Sequence, residues 1–247
     1  MKDNNWSKGC CTLSDEELAS YMNARYNTVR DDITGTERNH RNMSFVGIVM
    51  TKKAIVAFGD SKSTVFDAFG NRLPERNREV RKVFKIDENT VMATFGNNKI
   101  SIDGNIVLIE DYIDKFLKTG ADIQDMMEDI VNHAKEHGGE YNFLIGTHRN
   151  NKTYAQHFIV NGDGTMMRNR EFPRPDKTSF LVNAISVYSD ESRQPIEGID
   201  RNADASSVVE SLRKILTHII LQVDADFLYN PVGFPLQFAS VDIEHIE

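Results

Sequence analysis

The part of the sequence that decides the fold is residues 44–62, which read SFVGIVMTKKAIVAFGDSK. Two apolar runs, 44–50 and 54–58, stand on either side of the polar turn 51–53. Short continuous apolar runs bounded by a turn are typical of strands that are buried on both faces. The stretch therefore predicts a β-hairpin in the core, with Asp60 just beyond the end of its second strand.

Working outward, the next segments change from a strand pattern to a helix pattern. Residues 80–87 and 90–95 predict a second hairpin, which ends at Gly96. Apolar residues then recur at helical spacing in two sets on either side of Gly120, which predicts two consecutive helices. The sets are Ile106, Ile109, Ile113, Phe116 and Leu117, and then Ile123, Met126, Met127, Ile130, Val131 and Ala134.

The rest of the chain predicts a third hairpin, a third helix and a final strand. Residues 141–147 and 154–161 flank a turn at Asn150-Asn151, residues 208–220 have helical spacing, and residues 235–243 alternate weakly, as in an edge strand. This order differs from the strand-helix alternation of parallel sheets. It predicts an α/β (α+β) fold in which two antiparallel sheets stack face to face under outer helices, a four-layer αββα sandwich.

Composition excludes several classes of function. The chain has 247 residues, and its 29 Lys and Arg against 37 Asp and Glu give a formal charge of −8. Because phosphate binding depends on clustered cations, we expect neither a nucleic-acid partner nor an anionic membrane partner. No apolar run approaches the length of a membrane span, and the polar N-terminus is unlike a signal peptide. These features predict a cytoplasmic protein.

The cysteines and histidines do not predict a metal site. Cys10 and Cys11 are adjacent, so they rarely close a disulfide, and two sulfurs alone do not bind zinc. Cys10 is a rival nucleophile if processing exposes it, but a capped helix follows it rather than a strand. His133 and His137 have the spacing of a metal pair without an HExxH pattern, and an exposed helix end explains them better. No cofactor is implied.

Residues 1–42 differ in character from the domain that we predict for residues 43–247. Ser14 and Glu17 form the pattern of a capping box, which predicts one short helix. The polar residues 34–42 then predict a linker. We interpret residues 1–42 as an N-terminal extension or a propeptide.

Four residues at predicted strand ends have the chemistry of an amino-terminal nucleophile. Ser44 starts the first strand and Asp60 follows the second, while Lys82 opens the third and Gly96 closes the fourth. Antiparallel neighbours bring such ends together. A hydroxyl needs a base, and its own free α-amine can take the proton. A lysine held by a carboxylate favours the neutral amine and the alkoxide, and a glycine N–H can stabilise the oxyanion.

Four segments, 44–48, 54–62, 82–87 and 92–96, together resemble the 20S proteasome and its bacterial relatives, which are N-terminal-nucleophile (Ntn) hydrolases. The resemblance covers most of residues 44–243, with its defining motifs in the first half. It implies an αββα sandwich, hydrolysis of peptide or other amide bonds, and assembly into a homo-oligomeric ring or a related oligomer.

The resemblance also implies roles for single residues. Ser44 matches the nucleophile, which is normally a threonine, and Asp60 matches the acid after the second strand. Lys82 matches the catalytic lysine, and Gly96 matches the oxyanion-hole glycine. Thr165 falls where the family has a supporting serine after a similar turn.

Two positions of the family pattern remain open in this sequence. A further acid is expected after the third helix, and both Asp224 and Asp226 fit it. Lys62 falls where a basic residue is common, although a solvated charge explains it better.

Met43 precedes the nucleophile where self-cleaving relatives usually carry glycine. If translation starts at Met43, ordinary methionine removal exposes Ser44 without self-cleavage. If residues 1–42 stay attached, the Ser44 nitrogen is a peptide amide and cannot act as a base. The alternative prediction is therefore a non-catalytic proteasome-like structural or regulatory subunit, in which Lys82 and Asp60 form only a structural salt bridge.

Overall fold

The computed structural model describes residues 44–63, 78–102, 105–174, 176–183, 186–226 and 232–243. Over these ranges the chain has a mixed α+β fold with antiparallel sheets. The predicted extension 1–42, including Cys10 and Cys11, lies outside the described residues. No helix within the described ranges is long and apolar enough to cross a membrane.

The described helices and strands are numbered in chain order. The strands β1 to β13 are Val46–Met50, Ala54–Gly59, Lys62–Ser63, Arg78–Glu79, Val83–Asp87, Thr90–Gly96, Lys99–Ile102, Asn105–Leu108, Tyr141–Arg149, Lys152–Val160, Met166–Glu171, Ser179–Asn183 and Gln237–Asp242. The helices α1 to α4 are Ile109–Leu117, Ile123–His137, Ser186–Glu197 and Ala205–Asp226.

The predicted first hairpin lies inside a four-stranded antiparallel sheet with the order β12-β1-β2-β13. Every residue of β1 and β2 is buried, as expected for strands covered on both faces. Ile48 of β1 pairs with Ala57 of β2 and with Leu181 of β12. Among the described strands, β13 pairs only with β2, so the predicted edge strand is confirmed there.

The second and third predicted hairpins join in a five-stranded antiparallel sheet with the order β11-β10-β9-β6-β5. Asn150 and Asn151, the turn between β9 and β10, have φ of 53° and 58°. Two successive positive φ angles define the turn that matches the twist of a two-residue hairpin, and Asn tolerates them. The predicted turn is therefore confirmed.

Apolar side chains form three clusters that connect the sheets and helices. One cluster joins the four-stranded sheet to α3 and α4, and a second joins the five-stranded sheet to α1 and α2. The third contains residues from both sheets. For example, the first cluster contains Val56 and Leu212, the second contains Met92 and Ile130, and the third contains Ile48 and Leu144. Burial in these clusters fixes the strand ends that meet at the candidate site.

The prediction that Ile106 begins a helix is wrong. Residues 99–102 and 105–108 form a small two-stranded sheet, β7 with β8, and the helix begins only at Ile109. Ile106 is 75% exposed, so it contributes nothing to the helical core face. Its spacing to Ile109 imitates a helical turn, whereas the β-branched pair Ile106-Val107 favours a strand.

Candidate active site

A cavity of about 310 Å³ lies where the ends of several strands meet. Ser44 stands just before β1, Lys82 just before β5, and Gly96 at the end of β6, and all three line this cavity. The other lining residues are Lys62, Ser63, Val80, Arg81, Thr94, Phe95, Asn97, Asn98, Leu108, Ile109, Glu110, Gly139 and Glu140. The structure therefore brings three of the predicted site residues to one cavity.

Asp60 and Lys82 form a buried ion pair at the cavity, which Lys82 lines and behind which Asp60 lies. Asp60 is 0% exposed and Lys82 is 6% exposed, and the Lys82 Nζ donates to Asp60 Oδ1 at 2.8 Å. The ammonium also donates to the Lys62 carbonyl at 2.7 Å, and the Lys62 N–H donates to Asp60 Oδ2 at 2.9 Å. Buried charges persist when they are paired and hydrogen-bonded in this way. The Lys82 ammonium is thus held by Asp60 Oδ1 and by the Lys62 carbonyl, while Asp60 Oδ2 is held by the Lys62 N–H.

The same carboxylate holds the backbone next to Ser44. The Phe45 N–H donates to Asp60 Oδ1 at 2.8 Å, and the Asp60 N–H donates to the Phe45 carbonyl at 3.0 Å. Because Lys82 Nζ and Phe45 N both lie 2.8 Å from one oxygen, they are separated by no more than twice that distance. The lysine ammonium is therefore close to the peptide unit that follows the Ser44 hydroxyl.

The backbone N–H of Gly96 is directed toward the cavity side of β6. The Thr94 N–H donates to the Lys82 carbonyl at 2.8 Å, and the Asn97 N–H donates to the Glu140 carbonyl on the opposite side at 3.1 Å. Successive residues of an antiparallel strand direct their N–H groups to opposite sides. The Gly96 N–H consequently points to the side of β6 on which Lys82 lies. It is located past the end of the paired part of β5 and β6.

Gly96 also has a conformation that disfavours a side chain. Its φ is +91°, and a Cβ atom there would lie 3.1 Å from both Asn142 Nδ2 and the Glu140 carbonyl oxygen. We expect Gly96→Ala to lower the free energy of unfolding by about 2 to 3 kcal/mol, combining backbone strain with this crowding. Gly120→Ala is the matched control, because Gly120 has φ of +69° and a Cβ atom added there would meet nothing within 4 Å.

The control should lose only about 1 kcal/mol, as expected for a positive φ without crowding. Urea unfolding of the two variants measures the difference directly. Equal losses for Gly96→Ala and Gly120→Ala would contradict the close contacts around Gly96.

The structure adds hydroxyl and carboxylate groups that the sequence prediction missed. Ser63 Oγ accepts a hydrogen bond from Asn98 Nδ2 at 2.9 Å, so a second serine lies on the cavity wall. The Asn142 amide donates to Glu140 Oε1 at 3.0 Å, next to the cavity. These residues stand alone in turns or strand ends, and no spacing pattern connects them in the sequence.

A histidine connects this wall to the sheet interior. His157 Nε2 lies 3.1 Å from Asn142 Oδ1, and its ring lies 5.5 Å from the Phe95 ring. Burial lowers the pKa of His157 below its ordinary value of 6.5, and the charge of Glu140 opposes the effect. The folded protein therefore favours a neutral imidazole beside the cavity.

This lowered pKa makes stability depend on pH. Below pH 6.5 the unfolded chain binds a proton at His157 that the folded chain does not yet bind, so the free energy of unfolding should fall as the pH decreases. The full contribution is present above pH 6.5. We expect His157→Gln to flatten the loss of stability between pH 7 and pH 5, measured by urea unfolding.

His133 leaves part of the pH dependence in the His157→Gln variant, because burial and the charge of His137 lower the pKa of His133 as well. A wild-type slope in His157→Gln would contradict the assignment.

Thr165 is not brought into the cavity. It is exposed in the turn before β11, and its hydroxyl donates to Asp163 Oδ1 at 2.6 Å and accepts from Asn161 Nδ2 at 2.9 Å. Strands β9 and β10 lie between β11 and β6, which carries Gly96. Its placement provides no support for the proposed supporting role.

The structure does not test the two candidate acids, and it gives His133 a backbone partner. The side chains of Asp224 and Asp226, at the end of α4, lie outside the described residues. His133 Nε2 accepts from the Ser101 N–H at 3.3 Å, so this nitrogen is occupied by a backbone donor. Within the described part of the chain, no three His, Cys, Asp or Glu residues are grouped so that they could hold a metal ion.

No protein-family model matches the chain, and a search of curated proteins finds no significant match.

Proposed function

We propose that the chain is a proteasome-like Ntn hydrolase that cleaves peptide or other amide bonds, with Ser44 as the nucleophile once its α-amine is free. The observation that carries this proposal is the position of Asp60 Oδ1. That oxygen accepts from both the Phe45 N–H and the Lys82 ammonium, next to a cavity that Ser44 and Gly96 also line. A hydroxyl, a lysine and an oxyanion donor at one cavity are the groups that acyl transfer requires.

The proposed architecture is the four-layer αββα sandwich. Three apolar clusters support it, because one contains residues of both sheets and the others join each sheet to its own pair of helices. The unbroken burial of β1 and β2 is also as expected for strands between a second sheet and a helix layer.

In the proposed mechanism, the free α-amine of Ser44 takes the hydroxyl proton while the oxygen attacks the amide carbon. The Lys82 ammonium, held by Asp60, disfavours a second positive charge on the α-amine and stabilises the alkoxide. The Gly96 N–H donates to the oxyanion, a contact worth about 3 kcal/mol. The ammonium of Ser44 then protonates the leaving amine, and water hydrolyses the acyl ester with the same amine as base.

Two further parts of the proposal concern the setting of the site. We propose a cytoplasmic homo-oligomer, in a ring or a related assembly, that acts without a cofactor. Size-exclusion chromatography with light scattering tests the assembly, and a strictly monomeric active chain would contradict it.

A non-catalytic proteasome-like subunit is the second candidate. It is favoured by the covalent state of Ser44, because the nitrogen is a peptide amide as long as Met43 remains attached. In that state the site has no α-amine to act as base, and the Asp60–Lys82 pair is only structural.

The two candidates predict different effects on amide hydrolysis when the α-amine of Ser44 is freed. We would prepare the chain beginning at Ser44, the chain retaining Met43, and the full chain, and assay each with a panel of fluorogenic peptide amides. The hydrolase predicts turnover by the chain that begins at Ser44 and at least about 10²-fold less when Met43 is retained. Equal inactivity of all three chains as folded oligomers would favour the structural subunit.

A further inference from the structure

A second feature of the molecule, remote from the cavity, is the open edge of the five-stranded sheet. β11, Met166–Glu171, pairs with β10 on one side only. The Asn161 N–H donates to the Thr165 carbonyl at 2.9 Å, which fixes the alternation along this pair of strands. Odd-numbered residues of β11 therefore bond to β10, and the backbone groups of Met166, Arg168 and Arg170 point outward. Within the described ranges, no residue pairs with them.

The side chains on this edge are exposed to an unusual extent for a strand in a folded sheet. The first five residues of β11 are all exposed. Large apolar side chains are concentrated here, since Met166, Met167 and Phe172 are three of the six that are exposed in the described part of the chain. A long exposed edge with apolar side chains is a template for pairing with another chain.

Two arginines lie between Met166 and Phe172 on one face of the strand, and Met167 lies on the other face. Arg168 lies opposite Phe158, and Arg170 lies opposite Gln156. The Arg170 guanidinium stacks over the Tyr154 ring at 4.6 Å, and that of Arg168 lies 5.8 Å from the Phe158 ring. Stacking on a ring orients a guanidinium. With its amide oriented to satisfy both bonds, the Gln156 side-chain oxygen accepts from Arg170 Nε at 2.9 Å and Nη2 at 2.8 Å. The remaining N–H groups of the Arg170 guanidinium can still bond a carboxylate.

The charge of this edge is opposite to that of the whole chain. Residues 166–174 contain Arg168, Arg170 and Arg174 against the single acid Glu171, in a chain of formal charge −8. Glu171 is itself paired with Arg174 at 3.5 Å. The edge is therefore a local positive strip that complements an acidic partner.

Pairing of β11 with a second copy of itself is disfavoured by the same charges. A twofold axis perpendicular to the sheet would place the arginines of both copies on one face of the joined sheets. Like charges opposite each other on neighbouring strands are destabilising. A strand with carboxylates in those positions avoids the repulsion and pairs with both arginines.

The geometry points to β11 as a docking edge for an extended acidic peptide segment of another protein. The segment adds to the sheet as a strand and bonds the outward backbone groups of Met166, Arg168 and Arg170. Glu or Asp residues two positions apart lie opposite Arg168 and Arg170, and apolar residues contact Met166 and Phe172. Strand addition gives affinity through the backbone and specificity through alternate side chains.

The test uses the full chain and a fluorescein-labelled eight-residue peptide in which Glu alternates with Val or Thr. Fluorescence anisotropy should detect saturable binding that weakens at least tenfold in Arg168→Glu/Arg170→Glu. The same double variant should bind the matching peptide with Lys in place of Glu. Arg213→Glu is the control, since Arg213 is exposed on α4 and stacks on Phe238 instead.

A second pair of variants separates the backbone from the charge. Arg168→Ala removes the guanidinium, whereas Arg168→Pro also removes the outward N–H and keeps the bonds to β10. We expect Arg168→Pro to bind the Glu peptide at least threefold more weakly than Arg168→Ala, with unchanged circular dichroism. If Arg168→Pro fails to fold, the charge-reversed pair still decides the question.

Three results would overturn the inference. The first is undiminished binding of the Glu peptide to Arg168→Glu/Arg170→Glu. The second is tighter binding of a single-stranded RNA oligonucleotide than of the peptide, which would make the strip a nucleic-acid surface. The third is self-association of the wild-type chain that this double variant abolishes, which would make β11 an interface between copies.

Discussion

Ser44→Ala, introduced into the chain that begins at residue 44, is expected to reduce kcat for amide hydrolysis by at least about 10⁴-fold. The physical reason is that the substitution removes the attacking oxygen and leaves the Asp60–Lys82 pair and the Gly96 N–H in place. Substrate binding should change little, so KM stays within about threefold. Steady-state kinetics with a fluorogenic peptide amide measures both quantities.

Ser63 provides the matched control for this prediction. It lines the same cavity, and the bond recorded for its hydroxyl is the one that it accepts from Asn98 Nδ2. Ser63→Ala should therefore retain kcat within about tenfold of the wild-type value. If Ser63→Ala lost activity and Ser44→Ala retained it, the nucleophile would be Ser63 and the assignment to Ser44 would be contradicted.

Lys82→Met is expected to lower the free energy of unfolding by about 3–5 kcal/mol. The substitution leaves the Asp60 carboxylate, which is 0% exposed, with only the Phe45 and Lys62 N–H groups as donors. Removal of one partner of a buried ion pair costs more than the pair itself contributes, because the remaining charge stays buried. Urea unfolding at pH 7 measures the loss.

Two further variants show whether the loss of stability comes from breaking the buried ion pair or from removing any lysine side chain. Lys85→Met removes the next lysine along the chain, which lies on β5, is half exposed and is paired with Glu88, and it should change stability by less than about 0.5 kcal/mol. Asp60→Asn/Lys82→Met removes both charges and should be more stable than Lys82→Met alone. Additive losses in the double variant would contradict a coupled buried pair.

The sequence predicted the elements whose patterns are produced by burial. The continuous apolar runs of β1 and β2, and the apolar stretches of β9 and β10, report contact with other layers. The observed strand bounds differ from the predicted ones by at most three residues, as at β5, which begins at Val83 rather than at residue 80, whereas the last helix extends to Asp226 rather than to residue 220. Ends are set by local hydrogen bonds that hydrophobicity does not encode.

Elements without such a pattern were missed. β11 has no alternation of buried and exposed residues, because both of its faces are exposed. α3 contains Pro195 inside the helix, a position at which helix propensity disfavours proline. β12 is a short partner strand of β1 and has no turn signal of its own. In these cases the tertiary contacts override the local signal.

The candidate site was partly predictable for a similar reason. Ser44, Lys82 and Gly96 mark strand ends, so an antiparallel arrangement was enough to place them at one cavity, with Asp60 bonded behind the wall. Ser63, Asn98 and the Asn142–Glu140 bond come from loops and strand ends whose approach depends on the complete packing. Thr165 shows the converse, since a matching turn did not place its side chain at the cavity.

The most direct test of the central claim is to identify the residue that an electrophilic substrate analogue labels. A short peptide carrying a sulfonyl fluoride would be incubated with the chain that begins at Ser44, and the adduct located by tandem mass spectrometry. We predict one adduct on the Ser44 side-chain oxygen, absent from Ser44→Ala and from the chain that retains Met43. Labelling of Ser63 or another residue in place of Ser44, or no labelling of Ser44 in a chain that hydrolyses the parent peptide amide, would contradict the account.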